Sequence, residues 1–569
     1  MGKLKSGVPA SQEGLIFIRK GSRLICAQSG IHMLKKLWIG FKSIGPTFAT
    51  VLFVSFFTMA KYLRYFSQAG DGASYVGMIA SVRQNFRYDP YLFSSIITMN
   101  QQAWIGPKAW CSQGFDFTVP PNASVLQWHA YLLTFPLGVL SRISHIPPAM
   151  VASFAEAFAV GLTLFLIWRL VATKHGNRLL ASALLIVLVT SPILNLGSAG
   201  QLQPERLFIL PACLILVQID NFIRTGVISR ALVISSYIGG ALISERCAFT
   251  LGWMTLIYFF ISNPRYFLRP HRNLFLVLGL LCGVWWFFWT RNLQSSFYYQ
   301  QIDFQSLVRG LKFSLTDDLS STTKMFVVLL PLIFASLRMW RALFIAFISV
   351  VPNLVISVGG AEKSAYVTHY HSVYLALFAA SSLVGSIALA REGLNNAWFQ
   401  WRHGQLTALV IIVALLGINL NLTFKSSAGY SLSHIKKNIK VIESSYGWVG
   451  PKNLRTQIEN KNLWIHYVDD IPLGKTISAP EWILPSLVNA GHQKISYYPL
   501  GVASADIIFA EYDHATSQIT LLPWLLSQSD AKKIGGCIAT TIASRGIKRQ
   551  IPIGFPSPGM LKIYAFPNR

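Results

Sequence analysis

The sequence predicts an all-α, polytopic membrane domain of about eleven transmembrane helices followed by a small extracytoplasmic α/β domain. Three observations predict it. Apolar runs recur along most of the chain, which is 53% hydrophobic and only 12% charged, a membrane composition. Short connections rich in Lys and Arg separate those runs. After Thr423 the pattern changes to short apolar strands alternating with helical segments. The organisation read from this is a basic N-terminal tail (1–46), a transmembrane region (47–424) with a large first outward loop (64–125), and a C-terminal domain (425–569).

The first 45 residues carry eight Lys or Arg against Glu13, and no small-residue cleavage site follows an apolar run. This reads as a cytoplasmic tail rather than a cleaved signal peptide. A spanning helix needs about 20 mainly apolar residues. The candidate spans are Thr47 to Leu63, Met150 to Leu170, Leu179 to Leu196, Leu207 to Ile223, Ala231 to Ser244, Ala248 to Ile261, Leu274 to Thr290, Met325 to Leu337, Ala342 to Val358, Tyr370 to Ala390 and Leu406 to Thr423. Each basic connection is a separate indication of the inner side. Arg169/Lys174/Arg178, Arg224/Arg230, Arg265/Arg269/Arg272, Arg338/Arg341 and Arg391/Arg402 all fall inside if these spans alternate, which places the chain in the plasma (inner) membrane with its N-terminus cytoplasmic.

The stretch from Ala231 to Ile261 is basic on both flanks, so the chain must cross out and return, turning at Glu245 and Arg246; a single tilted helix is the alternative. Leu126 to Ile143 is apolar enough to span but would break the parity, and it is placed in the outer interface or as a re-entrant piece; a true span here, offset elsewhere, is the alternative. The outward regions are then Arg64 to about Ser124, Arg291 to Lys324, and the tail after Thr423. In the tail, strands are expected at Lys494 to Tyr498, Asp506 to Ala510 and Leu561 to Phe566, with helices at Ile435 to Tyr446 and Ala479 to Asn489. No internal repeat is visible, so the signature of many secondary transporters is missing.

The formal charge of +27 would in a soluble domain point to nucleic acid; here topology and anionic lipid headgroups account for it, and no nucleic-acid partner is expected. The six cysteines show no CxxC pair and no metal-ligand spacing. Cys213, Cys247 and Cys282 lie in apolar segments and read as core residues, whereas Cys111 and Cys537 both face outward, where a disulfide can form.

Ionisable groups near membrane depth are costly and tend to line a cavity or a pathway. Four outward turns deliver them to one face: Asp71 after the first span, Glu205 and Arg206 in GQLQPERL, Glu245 and Arg246 in ISERCAF, and Glu362, Lys363, His369 and His371 in GGAEKSAYVTHYHS. The first outward loop begins GDGASYVGMIASVRQNFRYDPY, with Asp71 within about two turns of the membrane boundary and Tyr75 behind it. Here the sequence resembles the GT-C class of membrane glycosyltransferases, in which a catalytic Asp opens the first extracytoplasmic loop. Gly72 stands where that class often has a second acid. VTSPILNLGSAGQLQPERL resembles the Ser-Pro turns that end spans in such proteins. More closely, the chain resembles a bacterial family of predicted membrane proteins of unassigned function, whose terminal pattern is matched by IPLGKTISAPEWILPSLVNAGHQKISYYPLGVASADIIFAEY.

The resemblance implies inverting sugar transfer from a polyprenyl-phosphate donor to an acceptor hydroxyl on the outer face. It makes Asp71 the general base and leaves the acceptor and any divalent metal undefined, with no metal ligands assigned. A carboxylate beside an apolar boundary has its charged form desolvated, which suits a base. Arg206, Arg246 and Lys363 are candidates to hold the lipid phosphate, with Glu205, Glu245, Glu362, His369 and His371 completing the substrate site. Structural readings stand beside these: Asp71 as a helix cap, Glu245 and Arg246 as an ion pair at a turn, Glu205 as a first-turn acid, and the two histidines as interfacial anchors beside Tyr366, Tyr370 and Tyr374. Trp285, Trp286 and Trp289 read as an aromatic belt. The alternative functions are a transporter or flippase for a lipid-linked or polar solute, and a membrane scaffold or sensor with an outward binding domain.

Overall fold

The structure, a computed structural model, describes residues 45–59, 61–62, 71–88, 111–112, 115, 130–189, 202–261, 271–292, 304–316, 319–355, 370–393, 467–480, 483–513, 528–546, 549–553 and 559–566. Contacts divide the chain into two compact units, Met1–Leu52 and Phe53–Arg569. The described part of the first opens helix α1 (Gly45–Met59), where Thr50 Oγ1 donates to the Pro46 carbonyl at 2.8 Å.

The second unit holds α2 (Asp71–Asn85), α3 (Thr134–Ser144), α4 (Pro148–Ile167, continued by a π-turn Trp168–Lys174), α5 (Arg178–Val189), α6 (Ile209–Thr225, entered through a 3-10 turn Pro204–Phe208), α7 (Arg230–Ile243), α8 (Glu245–Ile261), α9 (Arg272–Asn292), α10 (Phe304–Leu315), α11 (Leu319–Ser336), α12 (Trp340–Val355) and α13 (Tyr370–Gly393). Five helical runs among the described residues are long and apolar enough to cross a membrane: Pro148–Lys174, Pro204–Thr225, Arg272–Trp289, Leu329–Val351 and His371–Arg391. The outward stripe of α9 shows what they are built for. Val277, Leu280, Leu281, Val284, Phe287 and Phe288 recur at helical spacing and stay exposed, a continuous apolar face that water would not tolerate.

Local sequence sets the ends. Pro148 opens α4, where its missing N–H costs nothing, and Gly226 closes α6 at φ 73, its N–H on the Phe222 carbonyl. Leu126 to Ile143 does not form a long helix where it is described. Residues 130–133 are a turn and α3 has 11 residues, about 16 Å of rise, too short to span.

The Ala231 to Ile261 stretch is a hairpin, not one tilted helix. Ser244 alone is extended (φ −163, ψ 164), and its Oγ accepts the Cys247 N–H at 3.3 Å as an N-cap. Tyr237 meets Thr255, and Gly240 lies against Leu251, as antiparallel packing requires. The run Leu329–Val351 also folds back, at the 3-10 turn Leu337–Met339. The rings of Phe326 and Phe347 are 6.1 Å apart, whereas a straight helix would separate them by about 31 Å.

At the centre lies α13, almost wholly buried and packed on α6, α11 and α12. Small residues permit the approach: Ser382 Oγ donates to the Leu332 carbonyl and Ser381 Oγ to the Ala342 carbonyl, both at 2.8 Å, and Gly385 faces the Ala335 carbonyl with no room for a Cβ.

The C-terminal residues form a mixed five-stranded sheet from β1 (Ile477–Ala479), β2 (Ile495–Tyr497), β3 (Ile507–Asp513), β4 (Arg549–Ile553) and β5 (Gly559–Ala565), with helices α14 (Leu484–Asn489) and α15 (Gln528–Ser544). The order is β2-β1-β3-β5-β4. The β1 strand is parallel to β2 and β3, while β5 runs antiparallel to β3 and β4. Ile534, Ile538 and Ile542 of α15, four apart, fall in the same buried core as the sheet residues Ile508 and Phe509. The expected helix Ala479 to Asn489 is corrected: Ala479 ends a strand and the helix starts at Leu484, past Pro480. The expected helix Ile435 to Tyr446 lies outside the described residues, as do the last candidate span and much of the first outward loop.

Candidate functional site

Four chain segments distant in sequence place charged side chains in one buried cluster. Glu156, on α4 amid AEAFA, is 2% exposed, and its Oε1 takes Arg206 Nη1 at 2.7 Å and Lys61 Nζ at 2.9 Å. Arg206 and Glu205 stand on the 3-10 turn that opens α6, both fully buried. Tyr131 donates its phenol to Glu205 Oε1 at 2.8 Å. One residue back, the Ala130 N–H donates to Oε2 of Glu245 at 2.9 Å, and the Leu133 N–H donates to the Leu242 carbonyl at 2.8 Å. Residues 130–133 are thereby laid across the tip of the α7/α8 hairpin. Arg246, half-buried, follows Glu245 at that tip.

Tyr75 completes the cluster from α2. It is 3% exposed and packs with Tyr62, Ala152 and Leu202, each within a turn of Lys61, Glu156 or Glu205. Burial, then the charges of Glu156 and Glu205, push its phenol far above the ordinary tyrosine range, so it stays a protonated donor. Burial, then Glu205, does the same to Tyr131. Among the described residues, Tyr75 Oη, Glu156 Oε2 and Glu205 Oε2 make no hydrogen bond. Each such buried atom costs about 1–3 kcal/mol until a water or ligand satisfies it. No group of three or more His, Cys, Asp or Glu suited to a metal occurs among the described residues.

The sequence-derived site is therefore partly assembled. Glu205, Arg206, Glu245 and Arg246 share one neighbourhood. Asp71 is the first residue of α2, one turn before Tyr75, in the position of a helix-starting acid; its side chain is outside the described part. Glu362, Lys363 and His369 lie outside the described residues. His371 is fully buried and hydrogen-bonds Tyr374 through Nδ1 on α13, so its interfacial-anchor reading is corrected to a core position. Trp289 is buried as well, against Trp285 at 5.1 Å, rather than in an outward belt.

Glu156 and Lys61 are the residues that sequence reasoning missed. Glu156 is a lone acid inside an apolar run, which is itself the signal, because such a group needs a partner. The opposite end of the bundle is built differently. Asp220 binds Arg224 Nε at 2.7 Å and Arg391 Nη1 at 3.7 Å, and Arg391 Nε donates to His175 Nε2 at 3.3 Å. From Glu205 to Asp220 along α6 is about 22 Å. Between Arg206 and Asp220, and between His371 and Arg391, no charged residue occurs.

Cys111, between α2 and α3 in the chain, and Cys537 of α15 are joined by a disulfide, with Cα atoms 5.6 Å apart. Phe115 and Ala80 are buried in the core of the sheet, and the Gly501 N–H donates to the Phe115 carbonyl at 3.1 Å. No protein-family model matches the chain, and no curated protein is significantly similar to it.

Proposed function

We propose that the chain is a membrane-embedded glycosyltransferase-like enzyme that works from one end of its helical bundle, taking a sugar from a polyprenyl-phosphate donor to an acceptor hydroxyl. The observation that carries this reading is the one-sidedness of the polar cluster. Lys61, Glu156, Glu205, Arg206 and Glu245 meet at one end, and the helices below them are free of charge until the basic end. A transporter needs polar groups along its path, whereas a lipid-linked substrate can bring its head group to a site at one face.

The roles follow from the geometry. Tyr75 Oη, Glu156 Oε2 and Glu205 Oε2 gain most from a ligand rich in hydroxyls, such as a sugar. Arg206 is held by Glu156, which fixes its guanidinium, and half-buried Arg246 at the hairpin tip is a second cation that a phosphate could meet. Asp71, one turn before Tyr75, is the proposed base. Orientation is part of the proposal: the basic end, with His175, Arg224 and Arg391, faces the cytoplasm, and the cluster and disulfide-linked sheet face outward, where a Cys111–Cys537 bond survives.

The test is to express Asp71→Asn, Tyr75→Phe and Arg246→Gln beside the parent and profile the cell's glycolipids and glycans by mass spectrometry at matched protein level. The expected result is loss of one glycosylated species in all three. Unchanged profiles for all three, at matched protein level, overturn the enzymatic reading.

A further inference from the structure

Helix α2 carries Tyr75 into the buried cluster, yet its sequence gives it little reason to stay there. DGASYVGMIASVRQN combines two glycines, two serines and the β-branched Val76, Ile79 and Val82, and a 15-residue helix of this kind is marginal alone. What fixes it is contact on two sides. Tyr75, Val76 and Ile79 face the bundle, and Gly138 of α3 lies directly against Val82. On the bundle side too, Arg142 Nη1 of α3 donates to the carbonyls of Arg83 and Gln84 at 3.1 and 3.0 Å, closing the helix C-terminus.

The other side belongs to the C-terminal sheet. Ala80 is fully buried in the sheet's core. Arg83 Nη1 donates to Asn489 Oδ1 at 2.5 Å, and Gln84 Nε2 donates to the Asn489 carbonyl at 2.7 Å. Both contacts fall on the last residue of α14. Cys111, bonded to Cys537, and the buried Phe115 join the same layer from farther along the chain.

We propose that the C-terminal layer is the positioning element of the buried cluster, with Asn489 as its positioning residue and the Cys111–Cys537 bond as its lock, together holding α2 so that Tyr75 stays beside Glu156 and Glu205. Arg83 and Tyr75 are eight residues apart, about 12 Å along one rigid helix, so a grip on the first is felt at the second. The inference rests on this geometry and stands whichever ligand the cluster binds.

The test uses the full-length protein in detergent or nanodiscs, comparing the parent with Asn489→Ala, Asn489→Asp and Cys111→Ser/Cys537→Ser, and with Asn489→Ala combined with the double Ser change. Two readouts are taken: hydrogen exchange of the amides in 71–85, and modification of Tyr75 by tetranitromethane, located by peptide mass. Release of the clamp is expected to speed exchange in α2 at least about tenfold, the factor for losing one hydrogen bond to a charged group, and to make Tyr75 modifiable. Tyr237, buried in the α7/α8 hairpin, stays unmodified in every variant. Asn489→Asp keeps the acceptor for Arg83 and returns both readouts to the parent level. If α2 and Tyr75 stay protected in the combined variant, the bundle alone holds α2 and the proposal fails. It fails equally if Tyr237 becomes modified to the same extent, since the layer would then support the whole fold rather than this helix.

Discussion

Removing the Glu156 carboxylate isolates what the cluster contributes. Its Oε1 holds two buried cations, Lys61 at 2.9 Å and Arg206 at 2.7 Å, and all three side chains are at most 5% exposed. Glu156→Ala leaves both cations without that partner inside the protein. Breaking a buried pair in this way costs about 3–5 kcal/mol, most of it the uncompensated charge rather than the lost bond. At about 1 °C per kcal/mol for a unit the size of Phe53–Arg569, the thermal midpoint falls by about 3–5 °C, read as the temperature at which detergent-solubilised protein leaves the monodisperse peak. Replacing the triad together, Lys61→Met, Glu156→Leu and Arg206→Met, removes the charges with the pair and returns the midpoint to within about 1–2 kcal/mol of the parent. The proposed function adds a second readout, for the apolar triple variant should be stable and inactive. An Ala variant as stable as the parent would refute the geometry of the triad. A stable triple variant that still makes the glycosylated product would refute the assignment of the cluster as the site.

Tyr131→Phe removes the donor to Glu205 Oε1 and is expected to cost about 1–3 kcal/mol in thermal-shift measurements, with no change in the exposure of the C-terminal layer to protease. Gly252→Val drives a Cβ to 2.9 Å from the Gly279 carbonyl, so α8 and α9 must separate; a loss of about 1–3 kcal/mol is expected, and Gly283→Ala, where no heavy atom lies within 4 Å of an added Cβ, is the near-neutral control. The C-terminal layer should loosen on acidification in two steps, followed by hydrogen exchange in 477–513. Burial pulls the His492 pKa below its ordinary value, so its contribution is full above about pH 6.5 and is lost as pH falls through the lowered folded value. The Thr476 backbone N–H first, and then its hydroxyl and Lys475, hold Asp506 below the usual carboxylate range, so its contribution persists until pH falls below about 3.9. His492→Gln should abolish the first step alone, and a layer whose exchange is flat from pH 7 to 5 in the parent would contradict this account.

The apolar runs and the turns between them were legible because membrane depth forbids charge except where it is used. Glu205, Arg206, Glu245 and Arg246 could be picked from the breaks in hydropathy, and the Glu245 turn was correctly placed because basic residues flank it on both sides. Glu156 is marked locally only as a lone acid in an apolar run, and that mark does not say what it pairs with. Its partners stand 95 and 50 positions away, at Lys61 and Arg206, and pairing over such separations is settled by packing rather than pattern. The Ala130 N–H has no side-chain signal at all. In the sheet, β2, β3 and β5 were recognisable as apolar alternations, but three-residue β1 merges with the helical pattern after Pro480. Expected topology puts Cys111 and Cys537 on one side, which makes a disulfide possible but does not pair them; the bond itself is seen only in the structure.

The one-residue reversal at Ser244 makes one wall of the cluster rigid. With no loop between them, α7 and α8 share a stiff corner, and moving its tip would drag two full helices through their packing. The facing segment 130–133 is irregular backbone that leads into α3, with the Ala130 and Leu133 amides bonded to the corner and the Tyr131 phenol to Glu205. The corner thus gives the Glu245 carboxylate a fixed support, and the backbone laid over it carries the Tyr131 phenol to Glu205, so two acids from separate elements are held in register by one short segment.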